Sequence, residues 1–340
     1  MRVLVTGSTG FIGGNIARLL ADQGHEVVAL VRPDSSTLTL EDTDIRMAEG
    51  DVRDRGSVAQ AMKGCQAVVH SAALYTFWAP DPSLIYDVNV TGTKVVLEEA
   101  LKAEVDQCVY TSTVSTVGIP QGGIGAEESV PSPKDLVGHY KRSKYAAEKE
   151  ALDLAQRGLP VVVVNPTTPV GPWDVKPTPT GRMVLDFIRG RIPAYVNAGM
   201  NLVDVEDVAA GHILALERGR PGERYILGNT NLTLGRMFKM LEGVSGKKAP
   251  KIKVPIWLAM GVGYVDEFVE GSLLGRVPFI PVEGLKVSRK PMYVSCDKAV
   301  RDLGLPQSPV EGALEKAVRW FRDHGYAEGS KTASSSSLLG

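Results

Sequence analysis

The feature that most constrains this chain is a glycine-rich turn between a short apolar strand and a helix. Residues 2–6 read as a strand, and Gly7-Ser-Thr-Gly10-Phe-Ile-Gly13 then leads into a helical apolar pattern that runs to residue 23. Gly7 allows a tight turn, Gly10 lets backbone approach a pyrophosphate, and Gly13 lets helix and strand pack closely. The helix N-terminus adds free N–H groups and a positive dipole end. The turn predicts a dinucleotide site formed by Gly7, Thr9, Gly10, Phe11, Ile12 and Gly13.

The first half of the chain alternates strand patterns with helical patterns. We predict strands at 2–6, 25–31, 45–49, 67–71, 107–112 and 161–165, and helices at 11–23, 55–62, 82–103 and 138–156. Strands separated by helices of this length predict a parallel sheet covered on both faces. The expected fold is therefore α/β, with a Rossmann-type doubly wound parallel sheet.

The amino-acid composition changes after residue 166, where a loop rich in proline and threonine begins. We divide the chain into an NAD(P)-binding Rossmann domain (1–166), a smaller substrate-binding lobe (167–326) and a disordered tail (327–340). The segments 202–216 and 223–227 are the parts of the lobe that we expect to return to the main sheet.

The residue at the end of the second strand indicates whether the cofactor is NAD or NADP, because it lies next to the adenosine ribose. An acidic residue there accepts a hydrogen bond from the 2′-hydroxyl of NAD, whereas an arginine suits the 2′-phosphate of NADP. Arg32 occupies this position, so NADP is preferred, while Asp34 two residues later keeps NAD open. The later strand ends supply further candidate cofactor contacts: Asp51, Val52, Ser71, Ala72 and Ala73.

Tyr140 and Lys144 are four residues apart in a predicted helix and therefore share one face. Free tyrosine, with a pKa of about 10, is a weak base near neutrality, and an adjacent ammonium lowers that pKa. The same lysine can hold the nicotinamide ribose. From the hydroxyls at 109–115 we choose Thr113 to polarise the substrate oxygen, with Ser112 as the alternative. Asn89 either fixes helix geometry behind the site or takes part in catalysis.

The charge and cysteine content exclude several classes of protein. Lys and Arg total 38 against 39 for Asp and Glu, which gives no electrostatic footprint for nucleic acid. The three cysteines show no metal-ligand spacing, and their odd number argues against a disulfide framework. We expect no metal site and a reducing, cytoplasmic location.

Residues 254–274 form the most apolar stretch of the chain. Asp266, Glu267 and Glu270 interrupt it, so it is a poor membrane span, which needs roughly 20 apolar residues. We expect a partly buried amphipathic helix without membrane contact. The alternative is a surface that contacts a membrane or an apolar substrate.

These motifs together resemble the extended short-chain dehydrogenase/reductase superfamily over roughly residues 1–325. Within its NAD-dependent epimerase/dehydratase type, the chain resembles the hopanoid-associated sugar epimerase group. Dihydroflavonol-4-reductases and 3β-hydroxysteroid dehydrogenases are more distant relatives. The resemblance implies a Tyr-Lys-Ser/Thr triad, an NAD(P) cofactor and a homodimer formed through the helices at 82–103 and 138–156. It also implies cofactor contacts from Asn89, Thr111, Tyr140, Lys144, Asn165, Pro166 and Thr167.

The sequence departs from nucleotide-sugar epimerases at Asn201. Those enzymes commonly carry an arginine there that grips the diphosphate, and its loss weakens this substrate class. Arg182 and Arg289 are candidates to compensate. For the substrate pocket we expect Tyr75 and Trp78, beside Phe77, together with Thr113, Arg182 and Tyr195. The aromatic residues alternatively form a packed cover over the lobe interface.

Two reactions use the same three catalytic side chains. The first is reversible hydride transfer between NADP and a secondary alcohol or ketone, in the manner of a dihydroflavonol reductase. The second is epimerisation of a sugar by an enzyme that keeps its NAD(P) tightly bound. Arg32 and the absence of the diphosphate arginine favour the first. Either way the partner is a small molecule, such as a sugar, a sugar-lipid or another carbonyl compound.

Overall fold

The computed structural model describes residues 1–276 and 278–327, so the predicted tail, apart from Ala327, lies outside the described residues. The strands of the described chain are β1 (Arg2–Thr6), β2 (Glu26–Val31), β3 (Arg46–Glu49), β4 (Ala67–His70), β5 (Gln107–Thr111), β6 (Val161–Pro166), β7 (Thr168–Val170), β8 (Ala194–Val196), β9 (Gly199–Asp204), β10 (Arg224–Leu227), β11 (Thr230–Thr233) and β12 (Ile252–Val254).

Helices connect most of these strands. They are α1 (Phe11–Asp22), α2 (Arg55–Met62), α3 (Ser83–Tyr86), α4 (Thr93–Lys102), α5 (Gly138–Gln156), α6 (Pro179–Ile188), α7 (Val205–Arg218), α8 (Leu234–Ser245), α9 (Ile256–Asp266), α10 (Val282–Val287), α11 (Asp297–Leu303) and α12 (Val310–Asp323). Short 3₁₀ turns cover Leu38–Leu40 and Val114–Thr116, and π-helical turns cover Asp87–Gly92 and Glu267–Leu273.

The main sheet has seven parallel strands in the order β10-β6-β5-β4-β1-β2-β3. Successive side chains of β1 enter opposite layers. Val3 and Val5 pack with α1, α7 and α11 on one face, and Leu4 packs with α2, α4 and α5 on the other. Because both faces are covered, the strands are almost continuously apolar. The predicted doubly wound fold is confirmed.

A third core supports the smaller lobe. Helices α6, α8 and α12 pack around the three-stranded sheet β11-β9-β7, while β8 and β12 pair separately. Of the two segments expected to rejoin the main sheet, only the second does so, as β10. The first forms β9 of the small sheet and then α7, which packs against α1. Residues 205–227 therefore belong spatially to the main sheet rather than to the lobe.

The helix predicted at 82–103 is interrupted by a π-helical turn that contains Asn89. The Thr93 hydroxyl donates to the carbonyl oxygen of Asn89, and Gly92 lies against Val52. A π turn adds one residue to a helical turn and re-aims the side chains there, which is common at functional sites. This turn points the Asn89 amide at the loop that follows β4.

Candidate active site

A cavity of about 510 Å³ lies along the carboxyl ends of the main-sheet strands, where ligands bind in open α/β sheets. It brings together most of the residues predicted from sequence. Those that line it are Gly7, Thr9, Gly10, Phe11, Ile12, Gly13, Arg32, Asp51, Val52, Ser71, Ala72, Ala73, Tyr75, Thr111, Ser112, Thr113, Tyr140, Lys144, Pro166 and Thr167.

The glycine-rich turn forms the floor of this cavity. Gly7 has φ +73°, and a β-carbon there would lie 2.6 Å from the backbone nitrogen of Ala72. A β-carbon on Gly13 would lie 2.2 Å from the carbonyl oxygen of Gly7. Helix α1 begins at this turn without a side-chain cap, so its first N–H groups remain available to an anion. The geometry fits the pyrophosphate of a dinucleotide.

One end of the cavity carries two arginines. Arg32 is exposed at the end of β2, and Arg53 makes a two-bond ion pair with Asp51, at 2.9 and 2.8 Å. The hydrogen bond from Arg53 holds the pKa of Asp51 below its usual range, and the charge of Arg32 acts in the same direction. Ser35 completes this end of the cavity, whereas Asp34 does not line it. Sequence reasoning missed Arg53 and Ser35 as cavity residues.

Lys144 is 1% exposed and donates hydrogen bonds of 2.8 Å to the hydroxyl of Tyr110 and to the carbonyl oxygen of Thr111. Burial lowers its pKa to about 7, while the charge of Glu148 acts in the opposite direction. An ammonium has three donors, and these two partners leave one for a ligand in the cavity.

Tyr140 is 8% exposed and lines the same cavity. Burial raises its pKa to about 12, and the neighbouring Thr113 side chain acts against that rise. That Lys144 lowers this pKa stays a prediction. The hydrogen bonds of Lys144 itself go to Tyr110 and Thr111, at the end of β5.

Behind the cavity, the Glu148 carboxylate joins three strands to helix α5. One of its oxygens accepts hydrogen bonds from Ser112, Thr116 and Asn165, and the other pairs with Arg224 at 2.9 Å. The carboxylate is 2% exposed. Sequence reasoning missed it because a glutamate in a helical pattern is typical of a solvated face.

Asn89 and Asn165 are buried behind the cavity wall rather than on it. The Asn89 amide accepts from the backbone N–H of Leu74, at 2.7 Å, and donates to Ser143 Oγ, at 2.9 Å. Asn165 donates to the carbonyl oxygen of Thr113, at 3.1 Å. Asn89 therefore holds the loop that carries Tyr75, and Asn165 holds the segment that carries Thr113. For Asn89, this placement fits the alternative in which the residue fixes geometry behind the site.

The predicted substrate residues divide into two groups. Tyr75 lines the cavity, with its ring centroid 4.6 Å from that of Tyr140. Trp78 instead packs on Gly271, which fits the alternative in which the aromatic residues form a packed cover. Tyr195 packs edge-on against Phe238, and Arg182 is exposed on α6; neither lines the cavity.

The loop after β7 supplies cavity residues that sequence reasoning missed. Lys176, Thr178 and Thr180 line the cavity, and the hydroxyl of Thr167 is buried there without a partner in the described residues. The signal was the run of alternating prolines and threonines before α6. A lysine and several hydroxyls at the mouth suit a polar part of a ligand.

Asn201 lies outside the cavity and is 1% exposed. Its amide accepts from the backbone N–H of Asn229 and donates to the side chain of Asn231, at 2.8 and 2.9 Å. It fastens β9 to the turn before β11. In the described residues no cluster of His, Cys, Asp and Glu is placed to hold a metal ion.

Comparison with known proteins identifies the family of this chain and several similar proteins. The sequence profile of the NAD dependent epimerase/dehydratase family matches residues 3–228. The chain is 48% identical over 329 residues to a Synechocystis protein named as a dihydroflavonol 4-reductase, with 95% of each chain covered. It is 34% identical over 326 residues to sterol demethylase protein B of Methylococcus capsulatus, covering 96% of this chain and 99% of that one.

A solved structure shows the same architecture. The crystal structure of gox2253 matches with a TM-score of 0.85 and 43% identity, covering 95% of this chain and 98% of that one.

Proposed function

Because the chain belongs to the NAD dependent epimerase/dehydratase family, we propose that it is an NADP-preferring oxidoreductase that interconverts a ketone and a secondary alcohol. The observation that carries the proposal is the meeting of Tyr140, Thr113 and Lys144 with the glycine-rich turn in one cavity. When bound, the nicotinamide supplies or accepts the hydride, and the protein orients it and moves the proton.

Tyr140 is the proton donor to the substrate oxygen in the reducing direction. With a pKa of about 12, its hydroxyl stays protonated near neutral pH, as a general acid must. Thr113, which lines the same cavity as Tyr140, holds the same substrate oxygen and polarises the carbonyl. The remaining donor of Lys144 holds a ribose hydroxyl, and its positive charge favours the phenolate that forms when Tyr140 gives up its proton.

The preference for NADP rests on Arg32, Ser35 and Arg53 at one end of the cavity. Two guanidinium groups and a hydroxyl suit a phosphate, whereas the one carboxylate there, Asp51, is already paired with Arg53. An adenosine ribose with a free 2′-hydroxyl would find no unpaired carboxylate among these cavity residues.

The substrate is a carbonyl compound without a diphosphate. The position at which nucleotide-sugar enzymes commonly carry an arginine holds Asn201, whose amide is occupied within the lobe. The ring of Tyr75 lies 4.6 Å from that of Tyr140, and Lys176, Thr178 and Thr180 supply polar groups to the same cavity.

A cofactor titration tests the proposal. Protein stripped of nucleotide is titrated with NADPH and with NADH by fluorescence, and then assayed for ketone-dependent oxidation of the preferred cofactor. We expect NADPH to bind at least about tenfold more tightly, since a charge-assisted hydrogen bond contributes roughly 1.5–3 kcal/mol. Tight NAD that resists stripping would instead identify a sugar epimerase that recycles its own cofactor.

A further inference from the structure

Helix α9 and the π turn after it carry their large apolar side chains outward. The exposed positions are Trp257, Leu258, Val262, Tyr264, Val265, Phe268 and Val269, which we call the outer face. Their spacing follows the helical period, so they form one continuous stripe. Of the seventeen large apolar side chains that are exposed in the described chain, eleven lie between residues 252 and 279. The helix is partly buried, as expected, through Met260 and Gly263, but its large apolar side chains lie mainly on the exposed side.

The acidic residues of the same segment face inward. Asp266 accepts a hydrogen bond from the backbone N–H of Ile280, and Glu267 accepts one from that of Val282, both at 2.7 Å. Glu270 lies 3.9 Å from Arg276. The helix is thus inverted relative to an ordinary surface helix. Its carboxylates bind the turn that precedes α10, and its apolar side chains meet the solvent.

Cationic side chains directly precede the outer face in the chain, and we call them the lysine border. Lys247, Lys248, Lys251 and Lys253 are all exposed just before α9, and in the described part of the chain none of them forms an ion pair. Lys286 lies 5.9 Å from the ring of Tyr264. The border therefore has a positive charge that nothing in the described structure neutralises.

We propose that the outer face and its lysine border dock the protein onto the surface of an anionic lipid bilayer. Tryptophan and tyrosine favour the headgroup level, aliphatic side chains enter the acyl boundary, and lysines beside them attract anionic headgroups. No helix in the described residues is long and apolar enough to cross a membrane, so the attachment is to one leaflet.

The charge pattern favours a bilayer over a second copy of the chain. Lysine is depleted in protein–protein interfaces, whereas lysine clusters beside an apolar helix are typical of contact with anionic lipid. A symmetric contact through the outer face would also bring two lysine borders together.

The segment that carries the outer face contacts the loop that carries Tyr75. Trp78 packs on Gly271 of the π turn, and Phe77 lies near Gly284 of α10. The same loop carries Tyr75, whose ring lies 4.6 Å from that of Tyr140 at an interplanar angle of 42°. A bilayer on the outer face would therefore contact the segment that packs against this loop.

Vesicle co-sedimentation tests this proposal with three full-length variants. W257S/V265S/F268S changes the outer face, K251Q/K253Q changes the border, and I124S/V130S is the matched control, since Ile124 and Val130 are exposed outside this region. Each protein is mixed with vesicles of phosphatidylcholine alone or with added phosphatidylglycerol. NADPH titration of every variant checks its fold and is independent of vesicle binding.

We expect binding to the anionic vesicles, weakened by salt. The outer-face variant should lose binding at least about tenfold, and the lysine variant should lose it by roughly tenfold or more. The control should bind like the parent protein. The proposal is overturned if the parent protein does not bind anionic vesicles, or if both lysine replacements leave binding unchanged. It is also overturned if light scattering shows a dimer that the outer-face variant abolishes while vesicles capture neither protein.

Discussion

Ser112 and Thr113 are neighbours in the chain, yet their hydroxyls have different partners. Ser112 donates to the buried carboxylate of Glu148, whereas the Thr113 hydroxyl accepts from the backbone N–H of Ser115, at 3.2 Å, and Thr113 lines the cavity with Tyr140. Because successive side chains of an extended segment point to opposite sides, one hydroxyl supports the scaffold and the other is available to a substrate. This separates two residues that the sequence left as alternatives.

Thr113→Val should lower kcat by about 10²-fold, because it removes a hydrogen bond that is directed at the substrate oxygen. Thr113→Ser should retain most of the activity. Ser112→Ala should keep kcat within a few fold but lower the free energy of unfolding by about 1–3 kcal/mol, since it removes a donor from a buried charge. Steady-state kinetics and urea denaturation measure both effects. A loss of turnover confined to Ser112→Ala would reverse the assignment.

Tyr140→Phe should reduce turnover by about 10²–10⁴-fold while leaving the affinity for NADPH nearly unchanged. The reason is that the change removes the proton donor but keeps the ring that packs in the cavity wall. Tyr145→Phe, on the same helix but outside the cavity, is the matched control and should be active. Turnover that survived in Tyr140→Phe would show that another group moves the proton.

Arg32→Ala should weaken NADPH binding by about tenfold or more and change NADH binding little. The arginine is proposed to contact only the 2′-phosphate, and a charge-assisted hydrogen bond contributes roughly 1.5–3 kcal/mol. Arg46→Ala tests for general charge effects, since Arg46 is exposed at the start of β3 and does not line the cavity. Equal weakening of both cofactors would point to a pyrophosphate contact instead.

Glu148→Ala should lower the free energy of unfolding by about 3–5 kcal/mol, because it removes the buried acceptor of Ser112 and Asn165 and leaves the partly buried Arg224 without its partner. Urea denaturation of the nucleotide-free protein measures this. Glu150→Ala on the same helix removes only a partly exposed pair with Lys94, 3.6 Å apart, and should change stability by about 0.5 kcal/mol or less. Similar small effects from both changes would contradict the role of Glu148 as an anchor.

The buried carboxyl of Asp174 predicts a pH dependence of stability. Burial raises its pKa from 3.8 to about 7, against hydrogen bonds from Thr178. The folded protein thus favours the protonated form. The contribution of Asp174 to the free energy of unfolding is therefore largest below about pH 4 and falls as the pH rises to about 7. At higher pH it no longer changes.

Asp174→Asn should remove this slope, which is at most about 1.4 kcal/mol per pH unit. Burial also raises the pKa of Glu283 to about 7, so both proteins share that second contribution. The difference between their unfolding free energies, measured by urea denaturation from pH 4 to pH 8, isolates Asp174. A difference that does not vary with pH would refute the shift.

The sheet was predictable because its signals are local. Most strands of the first half are short apolar runs, and the ends of parallel strands meet at one edge, so Gly7, Arg32, Asp51 and Thr113 came together as expected. The bounds of α5 agree with the predicted 138–156.

The rest depends on contacts between distant parts of the chain. Tyr195 and Arg182 resemble pocket residues in sequence, but the packing of α6 and α8 turns them away from the cavity. Glu148 reaches partners on three strands that no local pattern connects to it. The outward orientation of α9 follows from carboxylates that bind a turn more than ten residues away.

Helix α5 carries Tyr140 and Lys144 toward the cavity, and through Glu148 the same helix is tied to β5, β6 and β10. The loop that carries Lys176 lies outside this set of bonds, whereas Asn89 ties the loop that carries Tyr75 to Ser143 of α5. We therefore expect that substitutions in the Lys176 loop can change which ligands the cavity accepts while Tyr140 and Lys144 keep their positions.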